Sequence, residues 1–204
     1  MNHTKDSEFG LKTGSVVNKG RLFIVSGPSG TGKTTLCSAV LSRFSDMLYS
    51  VSYTTRKPRT GEQNGIDYYF IKKEEFKDKI EHGKWAEWAE VHGNYYGTSA
   101  ELLDQELDSG RDIILDIDVQ GTFQLVKRYP ESVAIFVMPP SIEELKRRLK
   151  LRNTDSGEVI ARRLENAKME MTKKNLYPHV IINDQLPVAI GQLITVIENY
   201  RSAG

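Results

Sequence analysis

A single cysteine, Cys37, stands among 204 residues, so an internal disulfide is excluded and a reducing compartment is expected. Charge of one sign is not in excess either. With 28 Lys and Arg against 27 Asp and Glu, no global field draws the chain to nucleic acid or a membrane surface. No apolar run approaches the ~20 residues that a bilayer-spanning helix needs. The first nineteen residues mix Asn2, Lys5, Asp6, Glu8 and Lys12 with few apolar groups. They lack a signal-peptide h-region, and residues 1–19 are expected to form a disordered leader on a cytoplasmic protein. His3, His82, His92 and His179 are scattered without metal-ligand spacing, which speaks against a zinc site. Nothing has the arrangement of a Ser-His-Asp or Cys-His nucleophile. At 39% hydrophobic and 27% charged residues, the chain has the make-up of one well-buried globular domain.

What is present is concentrated in one stretch. Gly27-Pro28-Ser29-Gly30-Thr31-Gly32-Lys33-Thr34 fits the phosphate-binding pattern G-x-x-x-x-G-K-[ST] at every position. The apolar run Leu22–Val25 before it reads as a buried strand. Thr35 to Leu41 after it has helical spacing, and the helix is expected to end near Phe44. Glycines let the backbone fold round an anion with its N–H groups inward, and the helix N-terminus adds partial positive charge. Lys33 is then placed to reach the β- and γ-phosphates and the Thr34 hydroxyl to ligate Mg²⁺. A nucleoside triphosphate is the expected ligand. On the helix that follows, Cys37 reads as a small buried side chain.

Apolar strands alternate with helices along the rest of the chain. Ser50–Arg59 starts as a strand and ends in a proline-broken loop carrying Arg56 and Arg59. Tyr68–Ile71 is a strand candidate, Glu74–His82 a helix, Trp85–Val91 a strand, and Gly93-Asn94 a turn. Ala100–Leu107 reads as a helix, Ile113–Asp118 as a buried strand ending in acids, Val119–Tyr129 as a helix and Val133–Met138 as a second buried strand. Ser141–Leu151 begins as a capping box of Ser141 with Glu144. Glu158–Lys174 is a second charged helix, Val180–Ile182 a last strand and Pro187–Tyr200 a closing helix. Strands apolar throughout, alternating with helices, predict an α/β fold with a parallel sheet covered on both faces. The aromatic- and turn-rich region between the regular α/β elements predicts a small insertion over that sheet.

The phosphate loop alone leaves many NTPases and kinases open. Three further segments narrow them: Val51–Arg59, Gly93-Asn94-Tyr95-Tyr96-Gly97-Thr98 and Asp116-Ile117-Asp118-Val119-Gln120-Gly121. Together they resemble the guanylate kinase family, from about Arg21 to the C-terminal helix. The resemblance implies a P-loop kinase core (20–50 and 99–204), a GMP-binding insertion (about 51–98) and a lid (about 148–163). It implies transfer of the ATP γ-phosphoryl to GMP in purine nucleotide metabolism. Gly27 to Thr34 and Asn183 would take ATP, and Thr34 would hold Mg²⁺, through water with Asp116. Arg56, Arg59, Tyr68 and Tyr96 would hold the GMP phosphate, a dianion suited to guanidinium forks and phenol donors. Ser52, Glu87, Thr98 and Asp118 would surround guanine, whose N1–H and 2-amino group suit a carboxylate. Lys33, Arg56, Arg148, Arg152 and Arg163 would be catalytic. The chain departs from the family in its lid, where Leu151 and Asn153 flank Arg152 in place of the usual glycines.

Spacing by itself would make the arginines of 147–163 solvated helix faces; with the resemblance, Arg147 and Arg162 keep that reading, and Tyr95 is assigned to packing. Two other functions stay in view. A kinase for another small phosphate ester should lack the base-reading set of Ser52, Glu87 and Asp118. A non-catalytic guanylate-kinase-like module should have a degraded loop, whereas Lys33 and Thr34 are intact.

Overall fold

The computed structural model describes residues 18–91, 93–151 and 156–203. Arg152, Asn153 and most of the leader expected over 1–19 lie outside them. Strand β1 (Leu22–Ser26) is buried at all five positions. A strand with no polar face belongs in the middle of a sheet covered on both sides, and β1 lies there. It pairs in parallel with β7 (Ile113–Asp116) and with β8 (Val133–Met138), so that Val25 is level with both Asp116 and Ile135. The edges are β2 (Leu48–Tyr49), parallel to β7, and β9 (His179–Ile182), parallel to β8. The order is β2-β7-β1-β8-β9.

The two-residue period of a strand divides the sheet between two cores. Phe23, Val25, Ile114, Ile135, Val137 and Ile181 pack with Leu36, Cys37 and Val40 of α1 (Lys33–Arg43) and with Leu193 and Ile197 of α7 (Leu186–Ser202). Leu22, Ile24, Ile113 and Leu115 pack on the opposite face. Their partners are Leu103 and Leu107 of α3 (Ala100–Asp108) and Leu125 of α4 (Val119–Arg128). Each fully buried side chain of this size contributes roughly 1.5–3 kcal/mol, which is why these runs dominate the fold.

A second sheet has the order β4-β3-β6-β5, made by β3 (Tyr53–Thr54), β4 (Tyr69–Phe70), β5 (Trp85–Val91) and β6 (Asn94–Ser99). Helix α2 (Lys73–Glu81) covers it with Phe76, whose ring stacks on Trp85 at 4.2 Å and on Tyr95 at 5.3 Å between centroids. Tyr95 is thus a packing residue. Strand β6 is an element that sequence reading did not assign. Its six residues, NYYGTS, form no apolar run, and pairing with β5 rather than local pattern makes them a strand.

Three other expectations change. Strand β7 ends at Asp116, two residues early, and Asp118 instead caps α4, its Oδ1 accepting the Gly121 N–H at 2.7 Å. The capping box at Ser141 is half formed. The Glu144 N–H donates to Ser141 Oγ at 3.1 Å, but the Glu144 carboxylate turns to Arg147 and Arg148 at 2.7–2.8 Å. The second charged helix, α6 (Gly157–Met171), ends before Lys174 in a 3-10 turn, Thr172–Leu176. It packs through Ile160 and Leu164 on Leu145 and Leu149 of α5 (Ile142–Leu151). Among the described residues no helix is long and apolar enough to cross a membrane.

Candidate active site

The loop between β1 and α1 leaves the C-terminal end of the central strand, where parallel sheets open their crevice. Gly27, Gly30 and Gly32 have φ of 130°, 95° and 90°, a region that side chains with a Cβ rarely enter. Gly32 is also hemmed in from outside, since a Cβ there would stand 2.6 Å from Nδ2 of Asn183. That amide, buried at the end of β9, donates to the Thr31 carbonyl at 2.8 Å. Lys33 folds back over the loop and donates to the carbonyls of Gly27 at 2.7 Å and Pro28 at 3.2 Å. Burial pulls its ammonium pKa down, opposed first by the carboxylate of Asp116 and then by Glu170 and Asp118.

Two arginines of α5 and α6 come to the loop and to the Asn183 that braces it. Arg163 donates from Nη2 to Ser29 Oγ at 2.8 Å. Arg148 donates from Nη2 to the Asn183 carbonyl at 2.9 Å while Glu144 holds its Nε at 2.8 Å. Arg147, by contrast, is exposed and pairs with Glu144, and Arg162 is exposed as expected. Arg148 and Arg163 are therefore gathered at the phosphate loop, together with Asn183.

On the other side of α1, the Thr34 hydroxyl donates to Asp116 Oδ2 at 2.8 Å. Asp116 Oδ1 accepts a short hydrogen bond from the Tyr49 hydroxyl. Burial, then the neighbouring Asp116 charge, pushes the Tyr49 phenol well up, so it remains a donor.

The second sheet and the loops joined to it hold most of the residues expected to take GMP. Arg56 makes a two-pronged pair with Glu62, at 2.8 and 3.0 Å, and Glu62 also accepts the Arg59 N–H at 2.7 Å. The Arg56 guanidinium lies 5.4 Å from the centre of the Tyr68 ring, which meets Tyr96 edge-on at 6.0 Å. The Arg59 side chain is exposed beside them. Ser52, partly buried, accepts the Tyr69 N–H on its carbonyl at 2.9 Å. Across the β5–β6 hairpin Glu87 is level with Thr98, whose hydroxyl donates to Glu87 Oε1 at 2.7 Å. Both side chains are buried. Burial pushes the Glu87 carboxyl up to about 7, with Asp118 adding to the rise and Thr98 opposing it. The first turn of α4 comes this close because residue 121 is glycine; a Cβ there would lie 2.4 Å from Ile117 and 3.1 Å from Glu87 Oε2.

Sequence reading missed Glu62, Glu144 and Tyr49. Glu144 was visible as the i,i+4 partner of Arg148. Glu62 follows two arginines in a turn, a signal of charge proximity that spacing leaves ambiguous. Tyr49 has no local signal, because only the pairing of β2 with β7 brings it to Asp116.

The sequence profile of the guanylate kinase family matches residues 19–200. The chain belongs to the guanylate kinase family. It is an enzyme, a nucleotide-binding P-loop kinase. It is 50% identical over 179 residues to the guanylate kinase of Geobacter metallireducens, covering 88% of each chain. To that of Neisseria gonorrhoeae it is 48% identical over 187 residues, 92% of this chain and 91% of the relative. The crystal structure of guanylate kinase from Anaplasma phagocytophilum superposes with a TM-score of 0.71 at 34% identity, covering 90% of this chain and 87% of the other.

Proposed function

We propose that this protein transfers the γ-phosphoryl group of ATP to GMP, giving ADP and GDP, in the cytoplasm. The observation that carries the guanine half of the reading is the buried Glu87–Thr98 pair, with Asp118 nearby. A buried carboxylate is costly unless it is paired, and guanine supplies two donors, N1–H and the 2-amino group. Adenine would present its N6 amino group and leave the carboxylate unanswered. Ser52 and Thr98 complete the base-reading set, and the GMP phosphate falls to Arg56, Arg59, Tyr68 and Tyr96. The residues assigned to GMP lie mainly in the insertion of 51–98, and those assigned to ATP, Gly27 to Thr34 and Asn183, lie in the core.

Phosphoryl transfer rests on positioning and charge stabilisation. Lys33, Arg148, Arg163 and Arg152 neutralise the transferring group, and Arg56 aims the GMP phosphate, whose oxygen is already anionic and needs no general base. The lid of 148–163 closes over the loop and excludes water. Thr34 and Asp116 fit Mg²⁺, since they bring oxygen donors to one point beside the loop and this ion takes one or two carboxylates plus substrate phosphates. Thr34 and Asp116 would hold the ion, which would supply positive charge to offset the phosphates.

The test is ADP release measured with GMP, AMP, UMP and CMP as acceptors. GMP should lead AMP in kcat/KM by roughly 10⁴-fold, the discrimination expected when a mismatched base leaves buried polar groups unpaired. Comparable rates with another acceptor would overturn the assignment.

A further inference from the structure

Asp116 spends both carboxylate oxygens on side chains from two different elements. Oδ2 accepts from Thr34, in the first turn of α1, at 2.8 Å, and Oδ1 accepts from Tyr49 on the edge strand β2. The sheet dictates this meeting. Tyr49 is level with Ile114 in the parallel β2–β7 ladder, and side chains two apart on a strand share a face. Ile114 and Asp116 therefore both point toward α1. Ile114 enters the core with Leu36, Cys37 and Val40, and the Tyr49 ring packs against the same cluster. One step further along β7, Asp116 emerges at the N-terminal turn of α1, between the Tyr49 hydroxyl and Thr34. The ring is held by apolar packing and the hydroxyl is delivered to a fixed point.

A carboxylate with one free oxygen can swing about its Cβ–Cγ bond. One held at both oxygens cannot. The held Oδ2 fixes the Thr34 O–H as a donor, which leaves the Thr34 lone pairs turned away from Asp116 and open to a cation. We propose that Tyr49 is a positioning residue for the metal side of the phosphate loop: by occupying Oδ1 of Asp116 it locks the carboxylate that orients Thr34, and so strengthens binding of a divalent cation with the nucleoside triphosphate. This rests on the assignment of Thr34 and Asp116 made under Proposed function. Tyr49 itself touches neither substrate nor ion.

The experiment uses the full chain and Tyr49→Phe, which keeps the ring and removes only the hydroxyl. Mn²⁺ binding is read by electron paramagnetic resonance with ATP and without GMP, and the Mg²⁺ concentration for half-maximal ADP release is measured in parallel. Loss of one hydrogen bond to a charged group should weaken both about tenfold, while the KM for GMP stays where it was. Tyr49→Leu should weaken cation binding by the same factor, because it also lacks the hydroxyl. An unchanged Mn²⁺ affinity in Tyr49→Phe would overturn the proposal. So would a loss seen only in Tyr49→Leu, which would assign the residue to packing. If Mn²⁺ binding weakened as expected while the wild type failed to phosphorylate GMP, the acceptor assignment would fall and the role of Tyr49 would stand.

Discussion

Thr98 donates its hydroxyl to Oε1 of Glu87 at 2.7 Å from the neighbouring strand of a hairpin, with both side chains buried at 2% and 5% exposure. That relationship has a thermodynamic consequence. The Glu87 carboxyl titrates near 7 in the folded chain, against an ordinary 4.5. Between these values the folded state holds a proton that the unfolded state has lost. The contribution of Glu87 to stability is thus fully present below the lower value and is lost as pH rises through about 7. Glu87→Gln removes the titration. Relative to wild type it should gain roughly 2 kcal/mol between pH 5 and pH 8.5 in denaturant titrations. A difference between the two proteins that does not change with pH would show that Glu87 is not held in this way.

Glu62 grips Arg56 at both nitrogens and the Arg59 backbone at the same time. Glu62→Ala releases the fork that is assigned to the GMP phosphate. The KM for GMP is expected to rise about tenfold, the scale of one charge-assisted pair that positions a ligand group, with ATP binding unchanged. Isothermal titration with each nucleotide separately checks this; equal weakening of both would point to a general loosening of the fold.

Lys33 is the cation of the phosphate loop. Lys33→Ala should lower kcat by roughly 10²–10³ or more, as removal of a preorganised charge at developing anionic oxygens does. Its circular dichroism should match wild type, since among the described residues the lysine donates to carbonyls of its own loop. Near-normal turnover in a folded variant would remove Lys33 from the catalytic set.

Arg163 reaches the loop from α6 at Ser29, and Arg148 reaches from α5 the Asn183 that braces it. If they act on the transferring group, each Ala variant should lose more in kcat than in GMP affinity, because the interaction strengthens only toward the transition state. Steady-state kinetics in both substrates decides this. Unchanged kcat in both variants would return them to ordinary solvated helix faces.

The sequence by itself determined the parallel core, the phosphate loop and the family. Runs such as Leu22–Val25 and Val133–Met138 have no polar face, so they can be satisfied only inside a covered sheet, and the loop pattern is contiguous in the chain. Local pattern also placed α1, α3 and α7 close to their observed bounds. Only the tertiary structure decided the contacts made between residues far apart in number. Strand β6 exists because β5 pairs with it. Tyr49 reaches Asp116 because β2 lies beside β7, and Asn183 holds the Thr31 carbonyl because the end of β9 comes to the loop. Residue type and spacing report the periodicity of one segment against solvent; they carry no term for which segments lie side by side. That choice is made by burial and hydrogen-bond satisfaction summed over the whole chain, and in this protein it is what brings Tyr49 and Asn183 to the residues they hold.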